Sequence, residues 1–213
     1  MMIIVLISVQ TKIQAQTNGE GDWQYWNNTS IEGTLSPKAR VELEQDFRFG
    51  DDFSNFYREH TQILFGYKIF DWLEVAPAYH QAFDEKDGEF HPEQRPQIDL
   101  TGKWTIHGWE VIERNRLEYR DKFEKENTIR YRNQLKLKFP ISWTQWKIRP
   151  YIAEEPFFES EGAGFNSNRA SVGLEVKLAE HVKTDLYFLW RTTDSGEEWI
   201  DNYIFGSKLK LSF

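Results

Sequence analysis

Residues 129–139 read IRYRNQLKLKF, and their alternation decides the fold. The odd positions are Ile129, Tyr131, Asn133, Leu135, Leu137 and Phe139; the even ones are Arg130, Arg132, Gln134, Lys136 and Lys138. Side chains of a strand point alternately to two faces, so this is a strand with one apolar and one charged face. Working outward, the same period fills 109–120 and 94–106, with His107-Gly108 between them as a two-residue hairpin turn. Val41 to Phe49, Val172 to Leu178 and Tyr203 to Phe213 repeat it.

Eleven such segments span the chain, near 22–33, 38–49, 56–69, 72–83, 94–106, 109–120, 127–139, 146–157, 166–178, 182–193 and 199–213. They exceed the roughly 5–6 residues of an ordinary strand and suit a tilted membrane strand of about 9–11 residues that continues beyond the bilayer. The connections are expected to alternate. Short ones are 35–37, 70–71, 107–108, 141–145 and 179–181, and longer, acidic ones are 50–55, 84–93, 121–126, 158–165 and 194–198. Short periplasmic turns facing longer outer loops is the habit of bacterial barrels, which also have even strand numbers. Ten or twelve strands are therefore expected, one segment being miscounted or not a simple barrel strand.

The composition narrows the function. No run of about 18 apolar residues exists, which excludes a membrane helix but not a membrane barrel. The absence of cysteine excludes disulfides, thiolate zinc sites and a cysteine nucleophile. A formal charge of -8 argues against nucleic acid as a partner. No cofactor and no metal site is expected, and no GxSxG, P-loop, HExxH or Rossmann pattern occurs. None of the five histidines stands in a motif with a serine: His107 and His181 read as turn residues, His60 and His80 as members of the charged face. The chain is read as no enzyme.

Four signs favour lipid on the apolar face. Met1 to Val9 form a short apolar run before Ala15, so 1–15 reads as a signal peptide lacking its basic n-region and 16–213 as the barrel domain. Trp23, Trp26, Trp72, Trp104, Trp109, Trp143, Trp146, Trp190 and Trp199 fall near strand ends, as interfacial girdles require. The charged face is rich in arginine. Finally, Phe213 closes an alternating strand, which resembles the C-terminal signal of the outer-membrane assembly machinery. The expectation is an all-β chain, an antiparallel transmembrane β-barrel of about ten to twelve strands with a charged lumen. It would sit in the outer membrane of a Gram-negative bacterium, as a monomer in contact with lipid and lipopolysaccharide. A periplasmic ligand-binding barrel and a lipid-modifying barrel enzyme are the alternatives.

The stretches LSPKARVELEQDFRFGD (35–51), YREHTQILFGYKIFDWLEVAPAYH (57–80), RPQIDLTGKWTIHGWEVIERNRLEYRD (95–121), IRYRNQLKLKFP (129–140) and RPYIAEEPFFE (149–159), in that order, resemble the bacterial family catalogued as domain of unknown function 2490. The resemblance covers nearly all of the mature chain. It implies an outer-membrane barrel, often from Bacteroidota, and no activity.

Two sites stand out. Pairing Ile106 with Trp109 sets Asp99 opposite Arg116 and Arg95 opposite Arg120; the next hairpin sets Glu118 opposite Arg130 and Arg116 opposite Arg132. The result is a ladder of Arg95, Arg114, Arg116, Arg120, Arg130 and Arg132 threaded with Asp99, Glu110 and Glu118. It would either plug a narrow lumen with salt bridges or line a porin-like pore that prefers anions. Glu113, Asn115 and Asn133 fall instead on the lipid face in mid-strand. A β-bulge, a covering partner or a register error would account for them. The acidic connections read as solvated loop tips, with divalent cations bridging them to lipopolysaccharide phosphates as the sharper alternative.

Overall fold

The computed structural model describes residues 20–160 and 164–213. The expected signal peptide at 1–15, the first residues of the barrel domain and Glu161 of the acidic connections lie outside them. The described residues form eleven strands: β1 (Asp22–Ser36), β2 (Ala39–Gly50), β3 (Asn55–Phe70), β4 (Leu73–Lys86), β5 (Glu89–Ile106), β6 (Trp109–Lys122), β7 (Thr128–Lys138), β8 (Arg149–Glu159), β9 (Phe165–Ala179), β10 (Val182–Asp194) and β11 (Trp199–Ser212). Neighbours in sequence pair antiparallel, and β1 closes the barrel against β11.

The expectation of an even strand number is overturned. Eleven alternating strands leave the first and last running in the same direction, so the closing pair must be parallel. It is, in unbroken register from Asp22 opposite Asn202 to Glu32 opposite Ser212. Among the described residues no strand edge remains to recruit another chain.

The connections also differ from expectation. The acidic stretch 84–93 is not a loop: β4 and β5 run through it to a two-residue turn at Asp87-Gly88, with φ of 54° and 86°. His107-Gly108 turns in the same way, at 50° and 83°. Positive φ at both central residues fits the strand twist and suits Asp-Gly and His-Gly. The longest connection is 139–148, where a turn within 141–145 was expected. Pro140 cannot donate to a ladder, and Trp143 and Ile148 make an isolated bridge there. That connection, 37–38, 71–72, 107–108, 180–181 and Phe213 share one end, the Phe213 end; 51–54, 87–88, 123–127, 195–198, Ser160 and Gly164 share the other, the Asp51 end.

The apolar face points out. Leu43, Ile63, Ile98, Leu117, Leu135, Ile152, Val172 and Leu186 are all exposed on the wall. Rings frame them at both ends. Phe70–Trp72 and Trp72–Trp104 each stand 5.8 Å apart at the Phe213 end; Phe56–Phe90 (5.6 Å) and Phe165–Trp199 (5.4 Å) stand at the other. A soluble barrel would bury the aliphatic set; one in a bilayer exposes it between two aromatic girdles. Trp26 is the exception among the tryptophans expected there. It is 3 % exposed and lies inside, its indole N–H donating to Gln24 and to the Tyr57 hydroxyl, each at 3.0 Å. Tyr57 reaches it because the β2–β3 register shifts between Arg48–Arg58 and Phe49–Phe56, a bulge that turns Tyr57 inward.

Inside, glycines make room for rings laid flat on the wall. A Cβ on Gly206 would stand 1.9 Å from Tyr187 Cζ, and one on Gly173 2.5 Å from Tyr151 Cζ. Gly206→Ala is expected to cost about 1–3 kcal/mol by overpacking, in urea titrations of the refolded barrel. Adding Tyr187→Ala is expected to recover part of that loss; a double variant no better than the single would show that the ring is not the obstacle.

Candidate functional site

Interior chemistry is concentrated on β5 to β9. The register is constant across β5–β6 and β6–β7: Asp99 opposes Arg116, Gln97 opposes Glu118, and Arg116 opposes Arg132. Alternation then carries every second side chain of these strands inward. Arg116 grips Asp99 with two parallel bonds of 2.7 Å. Glu118, 1 % exposed, accepts from Arg130 Nε at 2.7 Å and from Arg132 Nη1 at 2.8 Å. Glu93 accepts from Arg95 Nε at 2.8 Å and Arg120 Nε at 2.5 Å. Arg120 also pairs with Glu159. Glu118 and Glu93 are thus each shared by two guanidinium groups and Asp99 is held by one, so each of these carboxylates is paired, which is what buried charge requires.

Glu110 stands apart from the ladder in which it was expected. Near the Phe213 end it pairs with Lys138 at 3.1 Å and Arg149 at 2.8 Å, and Lys138 continues to Glu175 at 2.9 Å. The reason is distance along the strand: Glu110 is the second residue of β6, six residues and roughly 20 Å from Arg116. A similar cluster joins Arg40 to Glu32 and Glu74, both at 2.8 Å, with Lys210 on Glu32 at 2.7 Å.

The arginines face a chamber of about 350 Å³. Its lining includes ten arginines and two lysines, but of carboxylates only Glu44, Asp46 and Glu155, so its surface is strongly cationic. Glu155 accepts from Arg114 at 2.7 Å and from Arg132 at 2.8 Å. Trp26 offers its ring to Arg48 (3.8 Å to the centroid) and Arg169 (4.9 Å), and Phe157 faces Arg169 at 4.6 Å. His60 and His80 also line it with ring centroids 4.1 Å apart, and His60 lies 3.1 Å from Glu44 and 3.3 Å from Asp46. Neither histidine has a hydroxyl among its hydrogen-bond partners. No group of three or more histidines and carboxylates is placed to hold a metal ion among the described residues.

The chamber is lopsided. Toward the Asp51 end Gln24 and Ile204 are 0 % exposed and Asn202 1 %. Toward the Phe213 end Arg114 and Glu44 keep 24 % and 23 % of their side-chain surface. Its lining is more deeply buried on the Asp51 side and more accessible on the Phe213 side.

On the outer wall Glu113, Asn115 and Asn133 come together. The Asn133 amide donates to Glu113 at 3.0 Å and to Asn115 at 2.9 Å, and the Tyr131 hydroxyl donates to Asn115 at 2.5 Å. The register is unbroken from Glu110–Lys138 to Arg120–Thr128, so no bulge turns these residues outward. The patch extends further than the sequence suggested. Leu135 lies between Glu113 and Glu154, and Asn168 donates to Glu154 at 3.2 Å. Beside it Pro156 lacks an N–H, and the β7–β8 pairing skips Asn133 and Gln134.

Residues 23–202 match a family model described as a protein of unknown function, DUF2490. The chain belongs to this family. Two solved structures share the DUF2490 barrel's fold. One is the β-domain of the Bordetella autotransporter Brka, with 9 % identity over 82 % of each chain and a TM-score of 0.50. The other is LpxR from Salmonella typhimurium, with 10 % identity over 82 % of this chain and 83 % of that one, TM-score 0.52. Identity this low speaks for the fold alone, that of an outer-membrane-type barrel. No curated protein matches the chain.

Several partners in the DUF2490 lumen were invisible to hairpin registers. Glu93, Glu155, Glu159 and Arg169 join the ladder, yet the sequence places Glu155 in a segment whose alternation is broken by Pro150 and Pro156. The inward parity of β8 was the missing signal: Tyr151, Glu155 and Phe157 are buried while Ile152, Glu154 and Phe158 are exposed.

Proposed function

We propose that this outer-membrane-type barrel resides in the outer membrane and works by binding rather than by conduction or catalysis. Its lumen is plugged, and its outer wall docks a membrane partner. The polar patch carries this reading. Carboxylates in mid-strand on this wall, whose other polar side chains there are uncharged ones such as Gln45 and Thr61, cost free energy in hydrocarbon, of the order of a few kcal/mol at the bilayer centre. A donor-bearing surface laid over Glu113, Asn115, Asn133 and Glu154 offsets that cost. Three observations favour the plugged lumen over the narrow anion-preferring channel. The arginine–carboxylate ladder spans β5 to β9, its central side chains are almost wholly covered, and Gln24, Ile204 and Asn202 are buried inside toward the Asp51 end. With no hydroxyl on either lumen histidine, no acyl-transfer chemistry is assigned.

The test is photocrosslinking in cells. A photoreactive residue at Leu117, beside the patch, is expected to give a discrete adduct that the same residue at Leu43, across the barrel, does not. Equal labelling of lipid from both positions would remove the partner.

A further inference from the structure

We propose that the interior chamber is a binding site for a phosphate-class oxyanion, entered from the Phe213 end. The inference stands on the interior alone and is independent of the wall patch.

The charge pattern carries it. Asp99, Glu93 and Glu118 do not line the chamber: they sit at the wall and hold the arginines by one edge, leaving guanidinium groups turned to the cavity. Three lining arginines, Arg58, Arg114 and Arg169, carry a buried Nε without an acceptor. The nearest carboxylate oxygen to Arg169 is that of Glu155 at 3.6 Å, beyond hydrogen-bond reach, and the buried Arg169 Nε has no acceptor. Arg114 Nε is buried without one as well. Both converge on Glu155, which Arg132 already occupies. Trp26 and Phe157 both face the Arg169 guanidinium and limit its swing. A cluster of cations held this way, with spare N–H groups turned to a cavity, lacks negative charge.

Guanidinium forks recognise oxygen pairs, so a tetrahedral oxyanion fits better than chloride. It can take two N–H bonds from one arginine and still present oxygens to a second. The chamber, about 350 Å³, has room for roughly a dozen waters at about 30 Å³ each. That admits inorganic phosphate or a small phosphomonoester group and leaves no space for an acyl chain. The free ion and a lipid phosphate headgroup share this chemistry.

The experiment follows thermal unfolding of the refolded, full-length barrel by its heat-modifiable mobility, at constant ionic strength. Inorganic phosphate is expected to raise the transition by several degrees with saturation, and chloride is not. A rise with a micelle of short-chain phosphatidic acid but none with inorganic phosphate would place the same site on a lipid headgroup. Arg169→Met is expected to lose most of the response. Arg149→Ala, whose partners Glu110, Gly108 and Phe139 lie away from the chamber, is expected to keep it. Should Arg169→Met not fold, Arg169→Lys keeps the charge without the fork, and at least a tenfold weaker response is expected. Equal shifts in phosphate and chloride, or an undiminished response in either Arg169 variant, would overturn the proposal.

Discussion

Glu118→Ala is expected to cost about 3–5 kcal/mol in urea titrations of the refolded barrel, enough to threaten assembly. Removing one partner of a buried ion pair leaves the other charged and dry, and the loss is that of an uncompensated charge rather than of a contact. Glu118 holds Arg130 and Arg132 at once, with Arg116 Nη1 3.8 Å away. Its loss therefore strands more than one guanidinium. Glu118→Gln is expected to be nearly as harmful, since an amide keeps an acceptor but not the charge. Glu110→Ala is the contrast. Its side chain keeps 28 % of its surface and its partners sit near an open end, so about 0–1 kcal/mol is expected. A Glu118→Ala variant as stable as Glu110→Ala would mean that the ladder holds nothing together.

The second large effect has the opposite sign. Glu113→Leu, Asn115→Val and Asn133→Leu together are expected to stabilise the isolated barrel in lipid by about 1–3 kcal/mol, because one carboxylate and two amides are then taken out of hydrocarbon. The same variant is expected to lose the crosslink at Leu117. Stability and binding thus move in opposite directions, the pattern of a surface kept polar for a partner. A triple variant less stable than the wild type would assign the network Tyr131–Asn115–Asn133–Glu113 to holding β6 and β7 together instead.

Much of this was legible in the sequence, for a physical reason. A strand between lipid and a charged lumen must alternate at every step, so Ile129 to Phe139 announces both its conformation and its two faces. Two-residue turns then fix register arithmetically, and His107-Gly108 alone sets Asp99 against Arg116 and, one hairpin on, Asn115 against Asn133. What escaped were features that depend on closure. The parallel β1–β11 pair joins residues from the two ends of the chain, and no local pattern announces it. Trp26 read as a girdle residue because position near a strand end was taken for outward direction; its even parity, shared with Gln24, Asn28 and Ser30, was the better guide. Arg169 and Glu155 meet Arg132 only because three strands curve around one chamber.

The plugged lumen is tested most directly by single-channel recording of the refolded protein in planar bilayers, beside the Arg116→Ala, Arg132→Ala pair. The wild type is expected to insert as a heat-modifiable barrel and stay electrically silent, and the paired variant, having lost two rungs of the ladder, to pass measurable current. Discrete, anion-preferring steps from the wild type, weakened in the pair, would contradict the account and make the arginines the lining of an open pore.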